Sequence, residues 1–343
     1  MKKILRVIAV VAVVVLMAGL LSACNKVDYA IKVGNSVISE NDYKRGVATL
    51  RQNYLEESGE KDSKQLWVAK DEEGNTLSEL LTAALQQDLI QKKLYAEQFE
   101  KLGLSFSAEE EQAITETVAQ VAESYGSITE FNQALADGYY TYDEFLVEYY
   151  DAFKKTKVLN YYFGEGGEKP VSLQDLKNYY ALNHIYVKFI YITKQDEEGE
   201  FLTGDDLKDA RMRAQTALES AQRESERDLF PDLIETHSDM NYSKKDGMVI
   251  TNDGSFNKKV ENVAFGLELG EVALVETENA LMVLKRYDGT TDELFTASLR
   301  QQTLEEIRAE EIEALLTEWE QGLAVKINQK AVKKYRPEKF VKE

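Results

Sequence analysis

The side chains that most often carry catalysis or bind metal ions are scarce in this chain. Its 343 residues include two histidines, His184 and His237, and one cysteine, Cys24. Two imidazoles far apart in the sequence argue against a histidine-rich metal site and against a Ser-His-Asp hydrolase. A single cysteine excludes an internal disulfide. We therefore expect no metal ion and no cofactor.

Cys24 ends a segment in which basic, apolar and small residues follow one another in a fixed order. Basic residues near the N-terminus precede an apolar core from Val7 to Leu20, and Leu21-Ser-Ala-Cys24 follows. The core is short for a membrane-spanning helix, and the order is typical of a secretory signal peptide. The last four residues resemble the lipobox of bacterial lipoproteins. The resemblance implies export, removal of residues 1–23 and a lipid anchor on Cys24 at the outer face of the cell membrane. An uncleaved membrane helix is the alternative.

The overall charge limits the partners of this protein. The formal net charge is −20 and the sequence pI is about 4.7. Such a chain repels nucleic acid, so we expect no nucleic-acid partner. A hydrophobic content of 43% is sufficient for packed cores. The length predicts two or three structural units.

The stretch from Tyr179 to Arg286 contains the elements of one α+β domain. A strand at 187–193 precedes helical patterns from 205 and around 229–236. An apolar run at 248–250, a short helix at 257–265 and strands at 272–275 and 281–286 follow. This order resembles a parvulin-type prolyl isomerase domain, which implies a four-stranded antiparallel sheet with flanking helices. The residues that carry the likeness are Tyr179-Tyr180, Val187–Ile192, Phe230–Asp239, Asp246-Gly247, Val260–Leu267, Leu269–Glu271 and Val283–Lys285.

The parvulin resemblance does not extend to the catalytic side chains. Position by position, the histidine of the first strand becomes Phe189, the Asp or Cys after the Ser-Asp pair becomes Met240, and the histidine of the last strand becomes Leu281 or Met282. The apolar positions are better matched. The resemblance therefore assigns no catalytic residue and implies a proline-binding pocket at Phe189, Met240, Phe256, Val260 and Met282.

Neither histidine fills the missing positions. We interpret His184 as a linker residue before the first strand, with a functional role as the alternative, and His237 as a partly buried residue at a helix end. Tyr191 and Tyr242 are possible sources of a hydroxyl group.

The region before this domain is predicted to be helical. Tyr29–Val33 and Val37-Ile38 form a short strand pair, and this opening resembles the start of the PrsA/SurA foldase family, in which it begins a helical chaperone module. Residues 57–76 are polar and predict a loop. Helix starts are indicated by capping boxes, which pair Ser39 with Asp42, Ser107 with Glu110, Ser127 with Glu130, Thr141 with Glu144 and Ser172 with Asp175.

The C-terminal region from Thr290 to Gly322 is also predicted to be helical, because Ile312, Leu315, Leu316 and Trp319 follow the spacing of one apolar face. The family resemblance implies that this helix packs on the N-terminal helices.

We expect an α+β protein with an all-α chaperone module built from both chain ends and an inserted parvulin-like domain. The basic tail beyond residue 325 is interpreted as solvated, with a membrane- or wall-facing role as the alternative. The expected borders are 1–23, 24–170, 171–288 and 289–343.

Two functions compete. In the first, the protein is a membrane-anchored foldase that binds unfolded exported polypeptides and has a degenerate or weak isomerase domain. In the second, it is an active prolyl isomerase with a non-standard site. A solute-binding lipoprotein is a weaker alternative that requires two lobes of repeated βαβ units. The oligomeric state is open.

Overall fold

A computed structural model describes residues 29–137, 140–223, 227–240 and 247–341. Cys24 and the signal segment lie outside these ranges. The chain divides into two compact units. The first contains the residues up to Lys169 together with those from Glu310 onward, and the second contains Pro170–Ala309. A helical module built from both chain ends, with an α+β domain inserted between them, is therefore confirmed.

In chain order, the elements of the second unit lie between two groups of elements that belong to the first unit. Within the described ranges, no helix is both long enough and apolar enough to cross a membrane. The elements are β1 (Tyr29–Val33), β2 (Ser36–Ser39), α1 (Glu40–Ser58), α2 (Lys64–Val68), α3 (Leu77–Lys101), α4 (Ala108–Ser124), α5 (Ile128–Asp137), α6 (Tyr142–Phe163), α7 (Leu173–Asn183), β3 (His184–Thr193), α8 (Gly204–Ala221), α9 (Phe230–His237), β4 (Met248–Thr251), α10 (Lys258–Gly266), β5 (Val272–Glu276), β6 (Ala280–Tyr287), α11 (Ala297–Ile307), α12 (Ala309–Gly322), β7 (Val325–Ile327) and α13 (Gln329–Lys334).

Side-chain caps determine where the helices of the first unit begin. Each of three hydroxyls, those of Ser39, Ser107 and Thr141, accepts a hydrogen bond from a backbone N–H in the first turn. In each case the acidic side chain three residues later accepts a hydrogen bond from the backbone N–H of the capping residue. These are three of the five predicted capping boxes, and at Ser127 and Ser172 the hydroxyl likewise accepts a hydrogen bond from the backbone N–H three residues later. Each satisfies backbone donors that would otherwise lack a partner, and removing one typically costs about 1 kcal/mol.

The loop predicted for residues 57–76 is wrong in part, because α2 forms within it. Trp67 is fully buried, its ring lies 5.5 Å from that of Tyr54, and its indole N–H donates to Asp62 at 2.8 Å. One large aromatic side chain thus anchors a polar segment to the helical module.

The C-terminal helical region consists of two helices. Arg308 lies between them with φ −105° and ψ 15°, which is outside the helical range. α11 packs against α7 in the second unit, whereas α12 belongs to the first. The prediction that the C-terminal helix packs on the N-terminal helices is correct for α12, because the Trp319 ring lies 5.6 Å from that of Tyr95 in α3.

The solvated tail predicted beyond residue 325 is wrong. β7 pairs antiparallel with β1, which gives a three-stranded sheet in the order β2-β1-β7. Asn328 caps α13, and Ala331 and Val332 are buried. Ser78 in α3 donates to Glu338 at 2.7 Å. The tail therefore completes the first unit and is not a free basic segment.

The second unit contains the predicted four-stranded antiparallel sheet, in the order β4-β3-β6-β5. Successive residues of a strand face opposite sides. Val187 and Phe189 accordingly pack towards α10, and Ile190 and Ile192 pack towards α8 and α9. Both faces of the sheet are covered.

The interpretation of His184 as a linker residue is wrong, because β3 begins at His184, which pairs with Thr251. Its imidazole stacks on Tyr180 at 4.7 Å between ring centroids, and Nε2 lies 2.8 Å from Glu306 Oε2 in α11. His184 therefore joins α7, β3 and α11 within the second unit.

Candidate functional site

The apolar cluster on one face of the four-stranded sheet contains most of the predicted pocket residues. Phe189 in β3, Met282 in β6 and Val260 in α10 are buried in this cluster, and Phe256 is partly buried against it. Phe189 and Met282 come from neighbouring strands that pair along their full length. The fold thus brings together four residues from three separate segments of the sequence.

Met240 differs from the other predicted pocket residues, because its side chain is 46% exposed. The residues before it are bound along the edge of β3. Tyr191 donates its N–H to the Ser238 hydroxyl at 3.0 Å, and Asp239 donates its N–H to the Tyr191 carbonyl at 2.7 Å. Met240 is not a member of the packed cluster that contains Phe189 and Met282.

Few polar groups adjoin this cluster. Glu261 is buried, and its Oε1 accepts a hydrogen bond from the Phe256 N–H at 3.1 Å. The Tyr191 side chain packs against the cluster and carries a hydroxyl. Neither His184 nor His237 belongs to the cluster, and His237 ends α9. The described residues therefore form a packed apolar cluster here and present no imidazole beside it.

A polar cluster in the same unit involves the end of β6. Lys285 Nζ lies 2.7 Å from Asp228 Oδ1, and the Tyr287 hydroxyl donates to Asp228 Oδ2 at 2.6 Å. Burial alone would raise the pKa of Asp228, but the hydrogen bonds from Lys285 and Tyr287 outweigh it and keep that pKa below its ordinary value. The pKa of Tyr287 is raised by burial and by the neighbouring carboxylate. This cluster stabilises the charged carboxylate.

In the helical module, Trp319 is one of the contacts between the chain ends. Its side chain is 5% exposed and lies against the rings of Tyr95 in α3 and Tyr162 in α6, at 5.6 and 6.1 Å. Ile312, Leu315 and Leu316 share the apolar face of α12 and remain only partly buried. An apolar surface is thus left beside a packed contact.

The guanidinium of Arg45 is buried between acidic and aromatic groups. It bonds Asp42 and, at 2.6 Å, Glu144 Oε1, and it lies 4.7 Å above the ring of Tyr140. Burial would raise the pKa of Glu144, but hydrogen bonds from the Thr141 N–H and from Arg45 lower it. Burial and the nearby carboxylate of Glu148 raise the pKa of Tyr140 to about 12. Arg45 therefore joins α1 to the start of α6 as a cation between carboxylates and an aromatic face.

Aromatic rings follow one another from the end of α4 along α6, and we call this set the aromatic strip. The ring of Tyr125 lies 5.3 Å from Phe131, and that of Phe131 lies 5.4 Å from Phe145. Tyr149 and Phe153 continue the series at 5.7 and 5.9 Å. Phe131 is buried, whereas the α6 members are partly exposed.

The helical module matches a known family. Residues 1–159 match the family model described as a SurA-like N-terminal domain. The match confirms the resemblance expected from the sequence for this region. No curated protein matches the chain.

Several solved structures are similar to the chain over most of its length. The foldase protein PrsA from Streptococcus pneumoniae str. Canada MDR_19A is 12% identical, with 87% of this chain and 94% of that chain covered and a TM-score of 0.35. PrsA from Bacillus subtilis is 16% identical, with 80% and 98% covered and a TM-score of 0.28. The SurA-like chaperones PEB4 and Cj1289 of Campylobacter jejuni are represented by a structure 9% identical, with 88% and 99% covered and a TM-score of 0.30.

Two features of the helical module were not predicted from the sequence. The aromatic strip had a readable signal, because Phe145, Tyr149 and Phe153 recur every four residues, which places them on one helix face. The burial of Arg45 had only a weak signal. Its spacing from Asp42 is visible, but Glu144 approaches it only in the folded chain.

Proposed function

We propose that this chain is an extracytoplasmic chaperone that binds unfolded exported polypeptides and is held at the membrane by a lipid on Cys24. The observation that carries the proposal is the SurA-like N-terminal domain at residues 1–159. The order of charge and hydropathy before Cys24 supports export and lipidation.

The client surface is proposed to lie in the helical module. The apolar face of α12 is anchored by Trp319, while Ile312, Leu315 and Leu316 keep part of their surface exposed. Exposed apolar residues that adjoin a packed core are suited to unfolded chains, because burying them against a client removes apolar area from water.

The inserted α+β domain is proposed to bind proline-containing segments and to have little or no isomerase activity. The cluster of Phe189, Phe256, Val260 and Met282 supplies apolar walls. Parvulins are expected to use histidines beside such a pocket, and those positions hold Phe189 and Leu281 or Met282 here. Rotation about an X-Pro bond has a barrier near 20 kcal/mol, and lowering it requires polar groups positioned at the twisted amide.

The alternative of an active isomerase with a non-standard site is favoured by one observation. The Tyr191 side chain and the buried Glu261 carboxylate both adjoin the cluster that contains Phe256. A solute-binding lipoprotein has less support, because both described sheets are antiparallel and repeated βαβ lobes are absent from the described ranges.

Two assays on the same preparation test these proposals. We expect a stoichiometric amount of the chain to suppress light scattering by a chemically unfolded client. We also expect cis–trans exchange in a proline peptide to remain as slow as the uncatalysed reaction, which takes tens of seconds. Unchanged scattering would contradict the chaperone function. A proline-peptide rate that rises with protein concentration and is lost in Phe256→Ala would instead establish the isomerase.

The membrane anchor is tested separately. Cells that produce the chain and are fed an alkyne fatty acid are expected to label it, and Cys24→Ser is expected to abolish the label. Equal labelling of the two forms would contradict lipidation at Cys24.

A further inference from the structure

The stretch between Lys101 and Lys154 has an unusual charge composition. It holds Asp or Glu at eleven positions and has no Lys, Arg or His. It covers α4, α5 and the first half of α6, all within the helical unit. This part of the surface is therefore strongly negative even for an acidic protein.

Bases from outside the stretch neutralise some of its acids. Lys157 lies 2.9 Å from Glu110, and Lys93 lies 2.9 Å from Asp151. Glu116, Glu123 and other carboxylates of the stretch remain exposed to solvent. A negative field therefore persists around these helices.

Apolar side chains are exposed in the same stretch. Val147 is 57% exposed, Ile128 is 55% exposed, and Tyr125, at the start of the aromatic strip, is 50% exposed. The α6 members of the strip, Phe145 and Tyr149, are also partly exposed. Exposed apolar side chains that adjoin one another on a folded domain often mark an interaction surface, and in this stretch Tyr125, Phe131 and Phe145 are successive ring neighbours.

Two cationic side chains of this protein already contact the stretch, and both are bound by a carboxylate and an aromatic ring. Arg45 bonds Glu144 and lies over the ring of Tyr140 at 4.7 Å. Lys157 pairs with Glu110 and lies 5.9 Å from the centre of the Phe106 ring. In both cases a carboxylate and an aromatic face share one cation, an arrangement that combines ion pairing with cation–π attraction.

We propose that the acidic and aromatic surface of α4–α6 binds unfolded polypeptide segments in which Lys or Arg residues alternate with apolar ones. The proposal rests on the proposed chaperone function and specifies its substrate class. Apolar side chains of the segment cover the strip, and its cations occupy the neighbouring carboxylates and ring faces. Acidic polypeptides are repelled by the same field.

The test compares two fluorescent, unstructured peptide probes in anisotropy titrations with the intact chain. The probes share length and apolar residues and differ only in carrying Lys and Arg or Glu and Asp. At low ionic strength we expect the basic probe to bind at least about tenfold more tightly, the lower end of electrostatic enhancement. In 1 M salt, where the Debye length is about 3 Å, we expect the two affinities to converge.

Variants locate the effect on this surface. Glu116→Gln, Glu123→Gln and Glu148→Gln combined are expected to reduce the preference for the basic probe several-fold. Glu197→Gln, Glu198→Gln and Glu200→Gln combined remove the same charge from exposed positions of the second unit and are expected to leave the preference unchanged. Circular dichroism shows whether both variants are folded. The salt titration is made on the unmodified chain, so it tests the proposal even if a variant does not fold.

The outcomes separate this inference from the proposed function. Equal binding of the two probes at low salt, with client aggregation still suppressed, would overturn the inference and leave the chaperone function standing. Equal loss of preference in both triple variants would also overturn it. Binding of neither probe, with no suppression of aggregation, would overturn both.

Discussion

Replacing Trp319 by alanine tests whether the C-terminal helix is a structural part of the N-terminal module. The side chain is 5% exposed and contacts Tyr95 and Tyr162. A buried aromatic side chain removes about 150–250 Å² from water. At about 25 cal/mol per Å² this corresponds to about 4–6 kcal/mol as an upper estimate. Large-to-small changes of buried aromatic residues typically cost about 3–5 kcal/mol, so we expect a loss of about 4 kcal/mol. That loss is a large fraction of the typical stability of a domain, about 5–15 kcal/mol.

Urea denaturation measures this loss, and hydrogen exchange by mass spectrometry shows where it occurs. We expect faster exchange in α3 and α6, with the β3–β6 sheet unchanged. Thr317→Ala, an exposed position on the same helix, is the matched control and is expected to change stability by no more than about 0.5 kcal/mol. A loss below about 1 kcal/mol for Trp319→Ala, or unchanged exchange in α3, would refute the packing argument.

Two further changes test electrostatic contacts of the fold. Arg45→Met removes a buried guanidinium from two carboxylates. We expect denaturant unfolding to show a loss of about 1–3 kcal/mol in the free energy of unfolding, because Asp42 and Glu144 are partly exposed and water can solvate them again. An unchanged unfolding midpoint would contradict this expectation. The pKa of Asp228 is lowered in the fold, so its contribution to stability is present above its unfolded pKa of about 3.9 and is lost as pH falls through the folded pKa. Asp228→Asn is therefore expected to flatten the acid side of the stability–pH curve, whereas an unaltered slope below about pH 4 would argue against the hydrogen bonds from Lys285 and Tyr287.

Local signals in the sequence predicted the helices well. A capping box such as Ser107 with Glu110 depends on residues three apart, so its physics is contained in a short segment. The order of strands and helices between Tyr179 and Arg286 resembled a parvulin-type domain, and that resemblance implied the four-stranded sheet that the structure contains. Alternation within β3 explains why Phe189 lies in the apolar cluster with α10.

Features that depend on distant partners were not predictable in the same way. β7 is only three residues long and has Lys326 at its centre, and it becomes a strand because β1, at the other chain end, offers an unpaired edge. His184 seemed to be a linker residue because Thr251 and Glu306, which bind it, are far along the chain. Met240 is exposed and follows Asp239, whose hydrogen bond to Tyr191 in β3 has no local sequence signal.

Site-specific photo-crosslinking to an unfolded client tests the central claim that the helical module holds unfolded polypeptides. A photoreactive amino acid is placed at Leu315 on the apolar face of α12, at Tyr149 in the aromatic strip, and at Leu269, which is 64% exposed in the second unit. We predict client crosslinks from Leu315 and Tyr149 that excess unlabelled client displaces. Crosslinks from Leu269 alone would contradict the account.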